Sequence, residues 1–146
     1  MDVAIGPTTD AKYSQRLTQE NMALYYKARN IAWDPQRFME SWRIFDNYEI
    51  RHERKRCGVI RLKSDGETLF IRDLQIEPSK QRQGIGREAI TWAMAYAQTS
   101  GYAQLALRVF AENPAVSLYQ ALGFVETGRS RDAVLTLSLS LSATSE

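Results

Sequence analysis

The chain has one cysteine, Cys57, and one histidine, His52. A single thiol cannot close an internal disulfide, and a single imidazole leaves few zinc ligands. Both absences argue against a stapled secreted scaffold or a zinc finger and make a reducing cytoplasm the expected compartment. No apolar run comes near the ~18 residues of a membrane helix. The first residues, Met1-Asp2-Val3, lack the basic and apolar segments of a secretory leader. An excess of charge is also missing. Nineteen basic against seventeen acidic residues leave +2, too little for a nucleic-acid footprint. The densest basic run, Arg51-His52-Glu53-Arg54-Lys55-Arg56, reads as a solvated hairpin between two strands rather than an anion patch. Internal repeats and low-complexity stretches are absent.

What is present describes an ordinary globular domain. The 146 residues are 44% hydrophobic and 25% charged. A chain of this length buries about 70% of its unfolded surface and needs no metal staple. One domain over residues 1–146 is expected, with a frayed tail at 143–146.

The pattern predicts helices, then strands, then helix, strand, helix, strands. Residues 10–30 read as a helix with Leu17, Met22, Leu24, Tyr25 and Ala28 on its apolar positions. Asp34 then caps a second helix with Pro35 in its first turn, carrying Phe38, Trp42 and Phe45. Strands are expected at Tyr48–Arg54, Gly58–Lys63 and Thr68–Ile76, the last two joined by Ser64-Asp65-Gly66. Arg87–Ser100 reads as a helix stopped by Gly101, and Leu105, Leu107 and Val109 alternate as a strand. Asn113-Pro114 opens a helix that Gly123 closes, and strands follow at Phe124–Arg129 and Val134–Leu141. The fold class is α/β (α+β), a mixed and mainly antiparallel sheet flanked by helices.

The stretch from Leu74-Gln75-Ile76 through Gln81-Arg82-Gln83-Gly84-Ile85-Gly86-Arg87 is the most informative. A strand ends, a loop carries two glycines, and a helix begins. The first amides of a helix lack internal acceptors and, with the helix dipole, form an anion site. Glycines let the backbone come close to a phosphate. Arg82 and Arg87 flank the loop and add charge-assisted bonds. A pyrophosphate suits this arrangement. No Gly-Lys-Ser/Thr follows, and a third glycine is missing, so neither a Walker A loop nor the dinucleotide fingerprint is present. A glycine-rich helix start without a ligand is the competing reading.

These residues resemble the GNAT superfamily of N-acetyltransferases. Gln81, Gly84 and Gly86 match its Gln-x-x-Gly-x-Gly signature. A second block matches as well, with Asn113, Ala115, Leu118, Tyr119, Leu122, Gly123 and Phe124. The resemblance covers residues 45–141, and Tyr25, Tyr26, Trp33, Asp34, Pro35 and Phe38 are similar to one branch of small members. It implies a fold with an acceptor-site region at 1–46 and an acetyl-CoA core at 47–142. Acetyl-CoA is the implied co-substrate, with no metal. Leu74, Gln75 and Ile76 would offer backbone groups to the pantetheine arm. Arg82, Gln83, Gly84, Ile85, Gly86 and Arg87 would wrap the pyrophosphate. Asn113 would contact the cofactor near the arm, and Tyr119 would be the general acid at the thioester sulfur. The family spaces its Asn seven residues before its Tyr, and here Asn113 is six before Tyr119. Glu112 is therefore the alternative to Asn113. Some relatives carry a basic-acting Glu where this chain has Arg108, which cannot accept a proton.

The chemistry requires the same parts. Acyl transfer to an amine needs a neutral amine, a polarised carbonyl and help for the leaving thiolate. Complete proton transfer from an unperturbed tyrosine to a thiolate is uphill by roughly 2 kcal/mol, so Tyr119 acts more as a hydrogen-bond donor. Asp73 is the first candidate for the base, Glu77 the second, and an ordered water the third. Without a catalytic role, Asp73 pairs with Arg72 or Arg61, Asn113 is a helix cap, and Tyr119 belongs to the core. Tyr25, Tyr26, Trp33 and Trp42 beside Asp34 and Glu40 suit a cationic amine or serve as packing. The acceptor is expected to be a small-molecule or peptide amine. Nucleic acid and membrane are not expected partners, and a homodimer through the C-terminal strands is compatible with the pattern. The rival function is a catalytically silent acetyl-CoA sensor or interaction module.

Overall fold

A computed structural model describes residues 1–141. The described elements are β1 (Val3–Pro7), α1 (Ala11–Ala28), α2 (Pro35–Ile44), β2 (Asp46–His52), β3 (Lys55–Asp65) and β4 (Thr68–Ile76). A short 3-10 turn (Pro78–Lys80) leads to α3 (Ile85–Thr99), β5 (Gln104–Phe110), α4 (Ala115–Ala121), β6 (Val125–Arg129) and β7 (Val134–Ser140). The seven strands form one mixed sheet in the order β1-β2-β3-β4-β5-β7-β6. Strand β4 runs parallel to β5, while β1–β2, β2–β3, β5–β7 and β6–β7 are antiparallel. This is the expected fold class. The chain divides into two compact units, Met1–Lys63 with Arg72–Ala89, and Ser64–Ile71 with Ile90 onward.

In the first unit, α1 starts because Asp10 accepts a hydrogen bond from the Tyr13 amide at 3.1 Å. Helix α2 starts in the same way at Asp34, with Pro35 in its first turn, as the sequence predicts. The buried face of α1 differs from the expected one. It consists of Tyr13, Ser14, Leu17 and Thr18, whereas Leu24 is 78% exposed. Tyr13 and Leu17 pack with Val59 of β3. The fully buried residues of α1 all lie in its first half, so the apolar residues of its second half do not define its face.

Strand β1 is absent from the sequence reading. Its five residues include Gly6 and Pro7, which weaken any strand pattern. It survives as an edge strand, where a proline at the end costs no central ladder bond. The β2–β3 hairpin turns at Glu53 and Arg54, with φ of 52° and 73°. Two successive left-handed residues are what a tight two-residue hairpin demands. Neither is glycine or asparagine, so the turn carries no sequence signal and the expected strand ends shift to His52 and Lys55. Two cations of the basic run are paired with carboxylates outside it. Arg51 donates to Glu49 at 2.6 Å and Arg56 to Asp10 at 2.8 Å. The hairpin reading therefore describes it.

In the second unit, the head of β4 (Thr68–Ile71) pairs with Gln104–Leu107 of β5. Leu105, Leu107, Val109, Leu135 and Leu137 are buried, while Thr136 and Ser138 on the opposite pleat are half-buried. Ile90, Ala93 and Ala97 form the buried face of α3, and Met94, at the same helical spacing, is half-buried. Gly123, at φ 104°, ends α4 where Leu139 leaves room for no side chain without adjustment. The expected frayed tail at 143–146 lies outside the described residues.

Candidate active site

The β4–α3 connection has the form a ligand loop needs. Gln81, Arg82, Gln83 and Gly84 are exposed. Arg82 has φ 64° and Gly84 φ 88°. An arginine held in the left-handed region is uncommon and marks a backbone set by something other than its own preference. The first bond of α3 runs from the Glu88 amide to the Gly84 carbonyl at 3.1 Å. Gly84 is therefore the cap residue, and it has no side chain to cap with. Ile85 and Gly86 stand in the first turn, where amides have no intrahelical acceptor. A Cβ on Gly86 would meet nothing within 4 Å, so the space over this turn is open. Arg87 is exposed one residue on. A glycine-capped helix start, flanking guanidinium groups and open space beside Gly86 fit a pyrophosphate. The side chain of Gln81 has a structural task instead: its Nε2 donates to the Ile76 carbonyl at 3.0 Å and closes the loop onto the end of β4.

The end of β4 is positioned by a close approach. A Cβ on Gly58 would lie 2.5 Å from the Gln75 carbonyl oxygen, so only glycine lets β3 come this near. Gln75 thus points its backbone carbonyl toward β3. By the alternation of a strand, Leu74 and Ile76 turn theirs away. The Ile76 carbonyl already accepts from Gln81 Nε2 and from Asn21 Nδ2, each at 3.0 Å. Its two lone pairs are used, which leaves the Leu74 carbonyl and the Ile76 amide as the groups suited to a pseudo-strand.

Asp73 sits on β4 with its side chain 16% exposed. Its Oδ2 lies 3.6 Å from Arg61 Nε, an ion pair the sequence offers, and Arg72 adds a weaker pull. Its Oδ1 accepts from Gln75 Nε2 at 2.7 Å. Burial pushes the carboxyl above the ordinary aspartate range, against the downward pull of Arg61, Gln75, Thr18 and Arg72. A carboxylate raised toward neutrality is a better base than an exposed one. Burial and the Asp73 charge together push the nearby Tyr26 phenol up.

Arg61 is an arginine held inside the protein, its side chain only 4% exposed. Its Nη2 donates to Ser41 Oγ at 2.7 Å. The guanidinium carbon lies 4.4 Å from the Phe38 ring centroid and 4.9 Å from that of Phe45. Arg72 lies 5.2 Å over the same Phe45. The aromatic row Tyr26, Trp33, Phe38 and Trp42 stacks on itself at centroid distances of 5.8–6.4 Å. Within this row Phe38 faces Arg61, while Tyr26 lies near the Asp73 carboxylate. Asp34 uses its side chain on the α2 cap, and Glu40 is exposed.

Glu77, the second base candidate, accepts from the Tyr13 hydroxyl at 2.6 Å. Arg56 lies 3.8 Å over the Tyr13 ring. Burial and this bond push the Tyr13 phenol far up, so it stays a donor to Glu77. The pair ties α1 to the end of β4.

In the second unit, Asn113 Oδ1 accepts from the Ala115 amide at 2.9 Å, which makes Asn113 the cap of α4. Glu112 is exposed beside it. Tyr119 is 7% exposed and packs against Phe124 at 5.9 Å. Arg108 is exposed on β5, 5.1 Å over Phe70. The residue the sequence reading misses is Asn21. Its signal is an amide four residues after Leu17 and three after Thr18, on the face of α1 that meets the sheet.

A family model described as the acetyltransferase (GNAT) family matches residues 14–124. The ribosomal protein bS18-alanine N-acetyltransferase of Escherichia coli (strain K12) is 28% identical over 123 residues, 82% of this chain and 77% of its own. The crystal structure of the ribosomal-protein-S18-alanine N-acetyltransferase from Escherichia coli matches with a TM-score of 0.75 at 20% identity, over 99% of this chain and 97% of that one. PaiA N-acetyltransferase from Thermoplasma acidophilum, in complex with coenzyme A, gives 0.73 at 15% identity over 96% and 99%. A GNAT family acetyltransferase from Elizabethkingia anophelis with acetyl-CoA bound gives 0.75 at 18% identity over 96% and 99%. These solved structures share the fold.

Proposed function

The chain belongs to the acetyltransferase (GNAT) family, and from that premise we propose that it moves an acetyl group from acetyl-CoA to a primary amine of a peptide or small molecule by direct attack in a ternary complex. Acetyl-CoA is the co-substrate, and the protein is an N-acetyltransferase. The amine nitrogen forms a bond to the thioester carbon, the carbon–sulfur bond breaks, and coenzyme A leaves as the thiol, its sulfur gaining the proton that the nitrogen loses on becoming an amide. Asp73 takes the proton from the ammonium form of the acceptor. Tyr119 donates a hydrogen bond to the departing sulfur. The amides of Gln83–Arg87 and the guanidinium groups of Arg82 and Arg87 hold the pyrophosphate. The Leu74 carbonyl and the Ile76 amide align the pantetheine arm, and Asn113 meets it through its side-chain nitrogen while its oxygen caps α4.

The observation that carries this reading is the start of α3, where a glycine cap and open space beside Gly86 lie between two exposed arginines. We read the whole chain as one functional domain, since β4 and α3 each contribute residues to both compact units. A peptide amine is the first acceptor class to try, because the curated relatives are named for an alanine of a ribosomal protein. The test is release of free thiol from acetyl-CoA with an alanine-terminated peptide and, separately, with a simple diamine. Thiol release that depends on the amine supports the enzyme. Tight acetyl-CoA binding without release for any amine supports the silent sensor instead.

A further inference from the structure

The hydrogen bonds beside Asp73 form a chain with a fixed direction. A backbone carbonyl can only accept, so Ile76 forces Asn21 to point its nitrogen at β4, at 3.0 Å. The second hydrogen of that nitrogen reaches Gln75 Oε1 at 3.2 Å. With its oxygen engaged by Asn21, Gln75 must turn its nitrogen the other way. There it meets Asp73 Oδ1 at 2.7 Å. Gln75 is 8% exposed, so no solvent pathway offers its amide an easy alternative.

We propose that Asn21 is a positioning residue for the reaction: it fixes the direction of the Gln75 amide and thereby holds Asp73 as a hydrogen-bond acceptor, in the ionised form. This rests on the reading of Asp73 as the base. Asn21 acts through Gln75, since its own hydrogen bonds go to Gln75 and Ile76. The groups facing Asp73 are Arg61 from β3, Arg72 and Gln75 from β4, and Thr18 and Tyr26 from α1. Arg61, Arg72 and the Gln75 nitrogen donate only, and they favour the charged carboxylate. Burial opposes them. The direction of this one amide therefore adds to, or withholds from, the offset that Arg61 leads. If Gln75 turns over, its oxygen faces Asp73 Oδ1, and the carboxyl needs a proton to make the contact.

The test uses Asn21→Asp and Asn21→Leu in the full chain. Asn21→Asp offers Gln75 an acceptor and so draws the Gln75 nitrogen away from Asp73. Asn21→Leu removes the reference without adding charge, which separates the amide effect from a new negative neighbour. Two readouts are needed. The first is the titration of the Asp73 side-chain carboxyl, followed by carbon NMR and assigned by its loss in Asp73→Asn. The second is kcat/KM against pH with acetyl-CoA and a peptide amine. The expected result is an upward-moved Asp73 midpoint in both variants. kcat/KM at the acid end should fall about tenfold for Asn21→Asp, with little change at alkaline pH. Chemical shifts of residues remote from β4 report whether each variant keeps its fold. An Asp73 midpoint unmoved in both folded variants overturns the proposal. A midpoint that moves while the pH profile stays put supports the amide chain and overturns Asp73 as the base.

Discussion

Helices α3 and α4 begin in opposite ways. At α3 the cap is Gly84, which has no side chain, and the first-turn residue Gly86 faces open space. At α4 the cap is Asn113, whose oxygen accepts from the Ala115 amide at 2.9 Å. Each helix start leaves orphan amides by the geometry of a helix. The start of α4 satisfies one with the Asn113 side chain, and the start of α3 has a cap residue with no side chain to do so. A helix start capped by glycine and flanked by exposed arginines has the form that the proposed pyrophosphate site needs. A helix start built on asparagine has a sufficient structural reason already. The first kind of site can be read as function from local chemistry. The second needs an experiment that separates its two tasks.

The same contrast separates Asp73 from Tyr119, and the largest expected effect lies there. Asp73 is a buried carboxyl held between a guanidinium and an amide. Asp73→Asn should lower kcat/KM by about 10²–10³-fold, the usual scale for loss of a general base. The wild-type kcat/KM should fall on acidification with a midpoint above the ordinary aspartate range, because burial raises the Asp73 carboxyl. Removing the carboxylate also leaves Arg61 buried without its counter-charge, which destabilises the fold. The comparison is therefore made on protein whose near-ultraviolet circular dichroism is native. A kcat/KM within a fewfold of wild type would leave Asp73 as a structural ion-pair partner.

Tyr119 is a smaller and sharper test. Its ring packs on Phe124, and phenylalanine keeps that packing. Tyr119→Phe should therefore leave the unfolding midpoint close to wild type and lower kcat by roughly tenfold, the worth of about one hydrogen bond to the leaving sulfur. An unchanged kcat would return Tyr119 to the core.

Asn113 gives the smallest effect and addresses the helix starts themselves. Serine also caps well, whereas alanine costs about 1 kcal/mol at such a position. Asn113→Ala should lower the unfolding temperature by about 2–4 °C, and Asn113→Ser should restore it. Both lack the side-chain nitrogen, so both should weaken acetyl-CoA binding by a fewfold in a calorimetric titration. Full affinity in Asn113→Ser would confine Asn113 to capping.

The parts legible in the sequence are those with a local physical cause. Asp34-Pro35 marks the start of α2, the alternation of Leu105, Leu107 and Val109 marks β5, and Gly84 and Gly86 mark the start of α3. Asp73 facing Arg61 is also among the pairings the sequence offers. The parts not legible depend on what an element lies against. The buried face of α1 is set by its first half, so Leu24 looks like core and is exposed. Strand β1 exists because β2 offers it an edge, and nothing within its five residues requires it. Glu53 and Arg54 take left-handed angles that only the paired strands on either side impose. Asn21 acquires meaning only when β4 is placed beside it, through a backbone carbonyl that no sequence pattern displays.

In the proposed function the Gln81–Arg87 connection seats acetyl-CoA. Thermal unfolding of the wild type and of Gly84→Ala, each with and without acetyl-CoA and with ATP as the control, tests it most directly. At a ligand concentration of about 100 Kd the stabilisation is about 2.7 kcal/mol, or roughly 5–11 °C for a chain of this size. Gly84 lies at φ 88°, and its added Cβ would come 3.1 Å from the Met1 methyl, so alanine disturbs the loop at the point where the backbone must approach the phosphate. The expected result is a shift of that size for the wild type with acetyl-CoA, little shift with ATP, and most of the acetyl-CoA shift lost in Gly84→Ala. No acetyl-CoA shift in the wild type at millimolar ligand, or an equal shift in Gly84→Ala, would contradict it.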